Sequence, residues 1–367
     1  MLNTQIVKAI EQFAPPSLQE SWDNTGLQVG TLGQECTGVL ICMDVTPAVV
    51  EEAVALGYNL IISHHPLFFK GVKRLTGETP QQAAAINAIS AGITIYSSHT
   101  AMDSTKGGVS YALAKAVGVT PSKVIDPLSD KLLKLEVIVP ESHAETVRAA
   151  LFDAGAGALG EYDCCSFNLS GYGTFRALAD AHPYVGEIGE DHTEKEAEIS
   201  VLVPRHLISK VEKMLLEVHP YEMPAYWIIP LANRLSHYGL GIYGISEEGL
   251  KSEAFIERVK QALGAQTVRT TSLPDADTVI RRVAMCGGAG GEYIPKAISM
   301  GAQAYISADI RYHDFVDYDG KILLIDAGHY ETEAAITTVI SDLIKKECPG
   351  FDAVAIAKKA CNPVHYM

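Results

Sequence analysis

The chain has 367 residues, 47% hydrophobic and 20% charged, enough to bury a sizeable core in two or three domains. Its 29 Lys and Arg stand against 44 Asp and Glu, a formal charge of −15. With no Lys/Arg-rich run to meet a phosphate backbone, a DNA or RNA partner is not expected.

Met1-Leu2-Asn3-Thr4-Gln5 lacks the basic segment and apolar stretch of a secretory leader. The longest uncharged stretch, Thr79 to Met102, holds Gln81, Gln82, Asn87, Ser97, Ser98 and His99, which hydrocarbon tolerates poorly, so it reads as a helix and a strand rather than a membrane span. Seven cysteines, of which only Cys164 and Cys165 are close neighbours, show no metal-type spacing. Reduced thiols and a cytoplasmic location are expected.

The first segment alternates strands and helices. Cys36–Met43 is an apolar run, followed by Thr46-Pro47 as a helix cap with Pro in the first turn. Asn59–Ser63 is a second strand. Thr79-Pro80-Gln81-Gln82 has the form of a capping box opening a helix that ends near Gly92. Ile93–Ser98 is a third strand and Gly108–Val117 a helix. From Leu132 the pattern changes: a strand at Leu132–Pro140, a helix from Ser142 to about Ala154, and strands at Tyr162–Ser170, Gly171–Ala177 and Glu196–Pro204. A helix at Leu207–Val218 and a strand at Tyr226–Ile229 follow, with Asp180–Glu194 as an acidic loop. After Asn233 come strands at Val279–Cys286, Ala304–Ser307 and Ile322–Asp326, and a long final helix from His329. The fold class is therefore α/β: a discontinuous core of residues 1–130 and 233–367 on a mostly parallel sheet, with residues 131–232 inserted as a ferredoxin-like α+β domain.

Chemistry concentrates at strand ends, where α/β folds gather their ligands. His64 and His65 follow the second strand, and His99 and Asp103 follow the third. His329 and Glu333 lie four apart at the start of a helix and share one face. Three imidazoles and two carboxylates, at His64, His65, Asp103, His329 and Glu333, suit a pair of divalent ions about 3.5–4 Å apart. A single structural ion is the simpler alternative and uses fewer of these groups. Cys286-Gly287-Gly288-Ala289-Gly290-Gly291 is either a tight turn or a phosphate-cradling loop, and it lacks both nucleotide-binding fingerprints. Trp22-Asp23-Asn24-Thr25-Gly26-Leu27 is placed to line the cleft, although Asp23 and Asn24 are also ordinary turn formers.

With these residues in view the chain resembles, nearly end to end, the GTP cyclohydrolase 1 type 2 homologs, also called NIF-three-like proteins. The resemblance runs through Trp22–Leu27, Ser63-His64-His65-Pro66-Leu67, His99-Thr100 with Asp103, and Cys286–Gly290. It continues through Asp309 with Tyr312-His313, and Gly328-His329-Tyr330 with Glu333. In the insert it rests on Gly173-Thr174-Phe175 and His219-Pro220-Tyr221-Glu222-Met223-Pro224-Ala225-Tyr226, while Arg176-Ala177-Leu178-Ala179 lacks the Pro often found there. It implies a dinuclear centre at the same five residues and a ring-shaped homohexamer. It also likens the insert to small trimer-forming ferredoxin-like signalling proteins. Zinc is the first expectation for the metal, with iron, manganese, cobalt or nickel as alternatives.

Two functions follow as expectations. One is a metal-dependent hydrolase that opens the purine ring of GTP, with His99 or His313 moving protons and the glycine loop holding the phosphates. The other is a metal-binding regulatory or scaffold ring without turnover. An iron oxygenase fits less well, because its two-histidine, one-carboxylate triad leaves ligands unused.

Overall fold

Apolar side chains at Ile6, Val7, Ala9 and Ile10 bury one face of helix α1 (Asn3–Phe13). Strand β1 (Gly26–Val29) follows, and the apolar run from Cys36 delivers β2 (Val39–Cys42), buried throughout. Thr46 caps α2 (Pro47–Leu56) by accepting from the Val49 N–H, and Gly57 closes the helix at φ 71°. Next come β3 (Leu60–Ser63) and α3 (Pro80–Ser90), the latter capped by Thr79. The expected capping box is only half made: Gln82 Oε1 accepts from the Thr76 and Gly77 N–H groups rather than reaching back to Thr79. Strand β4 (Thr94–Ser97), the short α4 (Thr100–Ser104), α5 (Val109–Val117) and β5 (Thr120–Leu128) complete this part. Among the described residues no helix is long and apolar enough to cross a membrane.

The computed structural model describes residues 1–160, 162–273, 275, 277–359 and 362–367. It divides into two units, Met1–Pro127 with His237–Met367, and Leu128–Ser236. The second unit contains β6 (Leu132–Pro140), α6 (Ala144–Asp153), β7 (Ser166–Arg176), β8 (Asp191–Pro204), α7 (Ile208–Val218) and β9 (Tyr226–Pro230). Its sheet runs β7-β8-β6-β9 with every pairing antiparallel. Leu135, Val137, Ile199 and Val201 pack there against Val147, Leu151, Val211 and Leu215 of the helices.

Two expectations in this unit change. The strands expected at 162–170 and 171–177 are one strand, because Gly171 and Gly173 sit within β7 rather than breaking it. A Cβ at Gly173 would lie 1.7 Å from Glu196 Oε2, so the Glu196 carboxylate would have to shift to admit one. The acidic loop also ends sooner than expected, since β8 already begins at Asp191.

The first unit resumes within β10 (Leu235–Lys251), followed by α8 (Ser252–Leu263), the two-residue β11 (Arg269–Thr270) and β12 (Val279–Ala289). Then come α9 (Ile294–Ser299), β13 (Ala304–Ala308), α10 (Tyr312–Tyr318) and β14 (Leu323–Asp326). The long final helix is divided into α11 (His329–Glu333) and α12 (Ile336–Glu347), and β15 (Val354–Ile356) ends the set.

Instead of one mostly parallel sheet this unit has two mixed sheets, β1-β4-β3-β2-β15 and β11-β14-β13-β12-β10-β5. In the first, β15, β2, β3 and β4 are parallel and β1 joins antiparallel. In the second, β12, β13 and β14 are parallel, flanked by antiparallel β10 and β11. The parallel strands are continuous apolar runs, as strands covered on both faces must be. The six described cysteines, Cys36, Cys42, Cys164, Cys165, Cys286 and Cys348, are free thiols.

Candidate metal centre

Parallel strands aim their C-terminal ends the same way, and in both sheets those ends carry the polar residues. Ladder bonds from His64 N–H to Cys42 O and from Ser98 N–H to Ser63 O carry the pairing past β3 and β4. His64 and His65 leave β3, His99 leaves β4, and α4 lifts Asp103 one turn further. From the other sheet, the turn after β14 opens α11, which presents His329 and Glu333.

These donors converge. Glu333 Oε2 lies 3.1 Å from His65 Nε2, 3.2 Å from His329 Nε2 and 3.8 Å from His64 Nε2. His64 Nε2 lies 3.5 Å from Asp103 Oδ1. Three trios have their ligand atoms within 4.8 Å of one another: His65, His329 and Glu333; His64, Asp103 and Glu333; and His64, His65 and His99. His64 and Glu333 are buried, at 0% and 4% exposure. His64 Nε2 and Asp103 Oδ1 are buried polar atoms without a hydrogen-bond partner.

A second layer orients the rings. His65 Nδ1 bonds Asp44 at 2.9 Å, His329 Nδ1 bonds Asp309 at 2.6 Å, His99 Nδ1 bonds Asp23 at 2.7 Å, and His64 Nδ1 donates to Ser98 O at 3.1 Å. Each bond occupies Nδ1 and leaves Nε2 as the inward atom, the arrangement metal-ligating histidines use. The sequence reading missed Asp44, placed Asp23 only as a cleft-lining turn residue, and met Asp309 only in the family resemblance. All three follow or face an apolar strand, the same signal that marked the histidines.

Burial and the mutual charges of the cluster set its electrostatics. Burial pushes His64 down to about 3, so it stays the neutral imidazole that ligation requires. Burial alone would lower His65 as well, but the Asp44 and Glu333 carboxylates outweigh it and bring it up to about 10. Glu333 foremost raises His329 to about 9. Burial raises the Asp103 carboxyl well above the usual range, with Glu333 adding repulsion. For Glu333 burial acts in the same upward direction, yet His329 and His65 hold it well below the usual range.

Gly288 adopts φ +62°, and a Cβ there would stand 2.2 Å from Glu333 Oε1 and 3.2 Å from His329 Nε2. The glycine run thus serves close packing against the cluster. Three of its N–H groups are engaged: Gly287 donates to Ser110 Oγ at 3.4 Å, and Gly288 to Thr332 Oγ1 and Gly290 to Ser307 Oγ, both at 3.0 Å. Those three donors are not free for a phosphate. His313 is exposed on α10 beside the Tyr312 ring and joins none of the three trios, so the structure does not bring it to the cluster.

These features define a class: an α/β protein whose strand ends gather a buried histidine–carboxylate cluster with the donor set of a divalent-metal centre. The chain belongs to the Duf34/NIF3 (NGG1p interacting factor 3) family, whose model matches residues 1–363. It is 37% identical over 328 residues to the GTP cyclohydrolase 1 type 2 homolog of Halalkalibacterium halodurans, covering 88% of this chain and 87% of that one. With the Bacillus subtilis protein of the same name the identity is 36% over 330 residues, covering 89% and 87%. The crystal structure of a Bacillus cereus protein related to NIF3 superposes with a TM-score of 0.87 at 33% identity, covering 100% of this chain and 99% of that one.

Proposed function

We propose that this chain is a metal-dependent hydrolase that holds two divalent ions, zinc foremost, on His64, His65, Asp103, His329 and Glu333, and opens the purine ring of a guanine nucleotide. The observation that carries the metal reading is the pair of orphaned buried atoms, His64 Nε2 and Asp103 Oδ1, beside Glu333. An unsatisfied buried polar group costs on the order of 1–3 kcal/mol, and a cation between the two would offset that cost. Two of the trios share Glu333, which suits one carboxylate bridging two ions. Three protein donors per ion also leave room for water, as catalytic rather than structural sites do.

When bound, the ions would supply Lewis acidity and acidify water at neutral pH. The chain's own residues do the rest. Asp44 and Asp309 fix the His65 and His329 rings, and neutral His64 keeps its lone pair available. Asp23 holds His99 at Nδ1, so Nε2 is the atom free to take or give a proton beside the cluster. His313 has no part in this reading.

The substrate class is supported by the name that the relatives from Halalkalibacterium halodurans and Bacillus subtilis carry, GTP cyclohydrolase 1 type 2 homolog. The same reading includes a cytoplasmic homohexameric ring. It also takes the second unit as a ferredoxin-like insert, supported by the order β7-β8-β6-β9 with a helix after its first and third strands.

The test is incubation of zinc-loaded protein with GTP, followed by mass spectrometry for a ring-opened product heavier by one water. Product from the parent and none from Asp103→Ala supports the reading. No product, or equal product from both, defeats it, and an intact, metal-loaded ring without turnover would then identify a scaffold.

A further inference from the structure

Trp22 and Phe69 are large aromatic residues left 61% and 51% exposed at the edge of the buried cluster. Both meet the His99 imidazole edgewise, with ring centroids at 5.8 Å and 5.5 Å and interplanar angles of 72° and 83°. His99 in turn lies 5.3 Å from the His64 ring and 5.5 Å from the His65 ring. A perpendicular contact engages at most one face of a ring, so each exposed aromatic keeps a face for another partner.

Their presentation is built rather than incidental. Asp23 has no exposed side-chain surface. It accepts from the Asn24 N–H at 2.7 Å, Thr25 Oγ1 at 2.9 Å, the Thr100 N–H at 3.0 Å and Thr100 Oγ1 at 2.5 Å, besides His99. Asn24 Nδ2 donates to Phe68 O at 2.6 Å, and Gln28 Oε1 accepts from the Phe68 N–H at 3.3 Å. The segment before β1 and the segment bearing Phe69 are thereby fastened to each other and to the turn bearing His99. Phe69 is followed by the exposed cations Lys70, Lys73 and Arg74. Aromatic faces next to basic side chains are the pairing that holds a flat ring carrying an anionic group.

We propose that Trp22 and Phe69 form an aromatic mouth that receives a nucleobase by stacking and delivers its ring atoms to His99 and the cluster. The proposal rests on the reading of the cluster as a reaction centre, and it names the residues that select a planar heteroaromatic substrate. Asp23 and Asn24 act as positioning residues for the two rings.

The experiment uses the full chain carrying Trp227→Phe, loaded with zinc, in which Trp22 is the remaining one of two tryptophans. Guanosine and guanosine monophosphate are titrated against Trp22 emission, with ribose 5-phosphate as the probe lacking a base. Saturable quenching by the first two and none by the third is expected. Phe69→Ala should raise the half-saturating concentration roughly tenfold. Calorimetry in the Trp227-containing protein should show the same weakening for Trp22→Ala and near-parent affinity for Trp22→Phe, with zinc content unchanged in each. No quenching by either base-bearing probe overturns the proposal, as does parent-like affinity in both alanine variants. Quenching without ring opening would retire the hydrolase and keep the mouth. Ring opening with unaltered KM in both alanine variants would do the reverse.

Discussion

A single oxygen of Glu333 stands 3.1 Å from the His65 imidazole, which lies 268 positions earlier in the chain. The same oxygen is 3.2 Å from His329 on its own helix. One carboxylate therefore ties the strand ends of one sheet to the strand ends of the other, and its removal should undo more than one pairing.

Glu333→Gln keeps the size of this side chain and removes its charge. On the proposed two-ion reading, metal content, measured by mass spectrometry after purification without chelator, should fall from two ions per chain to one or none. The parent should gain thermal stability on zinc addition as mass action requires, about 2.7 kcal/mol at a hundredfold excess over Kd. The variant should gain much less. Full metal content in Glu333→Gln would remove the bridging role.

Asp44 and Asp309 bond His65 and His329 at Nδ1. Asp44→Asn and Asp309→Asn should each weaken zinc affinity roughly 10–100-fold, because the imidazoles lose the group that fixes their orientation and basicity. Competition with a chromophoric chelator reads this directly. Circular dichroism should be unchanged, since Asp44 is exposed and Asp309 lies at a strand end. Unchanged affinity in both would mean that the rings are oriented by packing alone.

His219, in the second unit, gives a pH dependence of its own. Its Nε2 donates to Ile138 O at 2.9 Å, and its Nδ1 accepts from the Tyr221 N–H at 3.0 Å, so the folded state uses both nitrogens of the neutral ring. Burial accordingly lowers its pKa from 6.5. The unfolded chain then binds a proton that the folded chain refuses. Stability is unaffected above pH 6.5 and declines as pH falls below it, down to the folded value. Melting temperatures from pH 7.5 to 5 should show this decline, and His219→Gln should flatten it from a lower starting point. A variant with the parent's slope would exclude His219 as the source.

The histidine pair, Asp103 and the His329–Glu333 spacing were legible because each follows a continuous apolar run, and strand ends are where such residues meet. Pairing direction was not legible: β10 spans 17 residues but includes Gly239, Gly241 and Gly249 at positive φ, so it has no clean strand pattern. The break between α11 and α12 falls at Ala334 and Ala335, both still in helical conformation and both strong helix formers, so the sequence carries no stop signal there. Asp44 was passed over, and Asp23 left as a cleft-lining turn former, because a lone Asp beside a strand is usually a cap or a turn. Only their distances to His65 and His99 distinguish them.

Gly288 separates backbone freedom from space. Both Gly288 (φ +62°) and Gly264 (φ +64°) occupy the left-handed region, but a Cβ at Gly264 meets nothing within 4 Å, whereas at Gly288 it stands 2.2 Å from Glu333 Oε1. Gly264→Ala should therefore cost about 1–2 kcal/mol from the backbone alone, with metal content intact. Gly288→Ala carries the same backbone cost and must also displace Glu333, which is 4% exposed and held by two histidines. Its metal content should match that of Glu333→Gln, and its melting point should fall below that of Gly264→Ala. Equal metal content in the two alanine variants would mean that Glu333 has room to move, and the close fit between the glycine run and the cluster would lose its functional meaning.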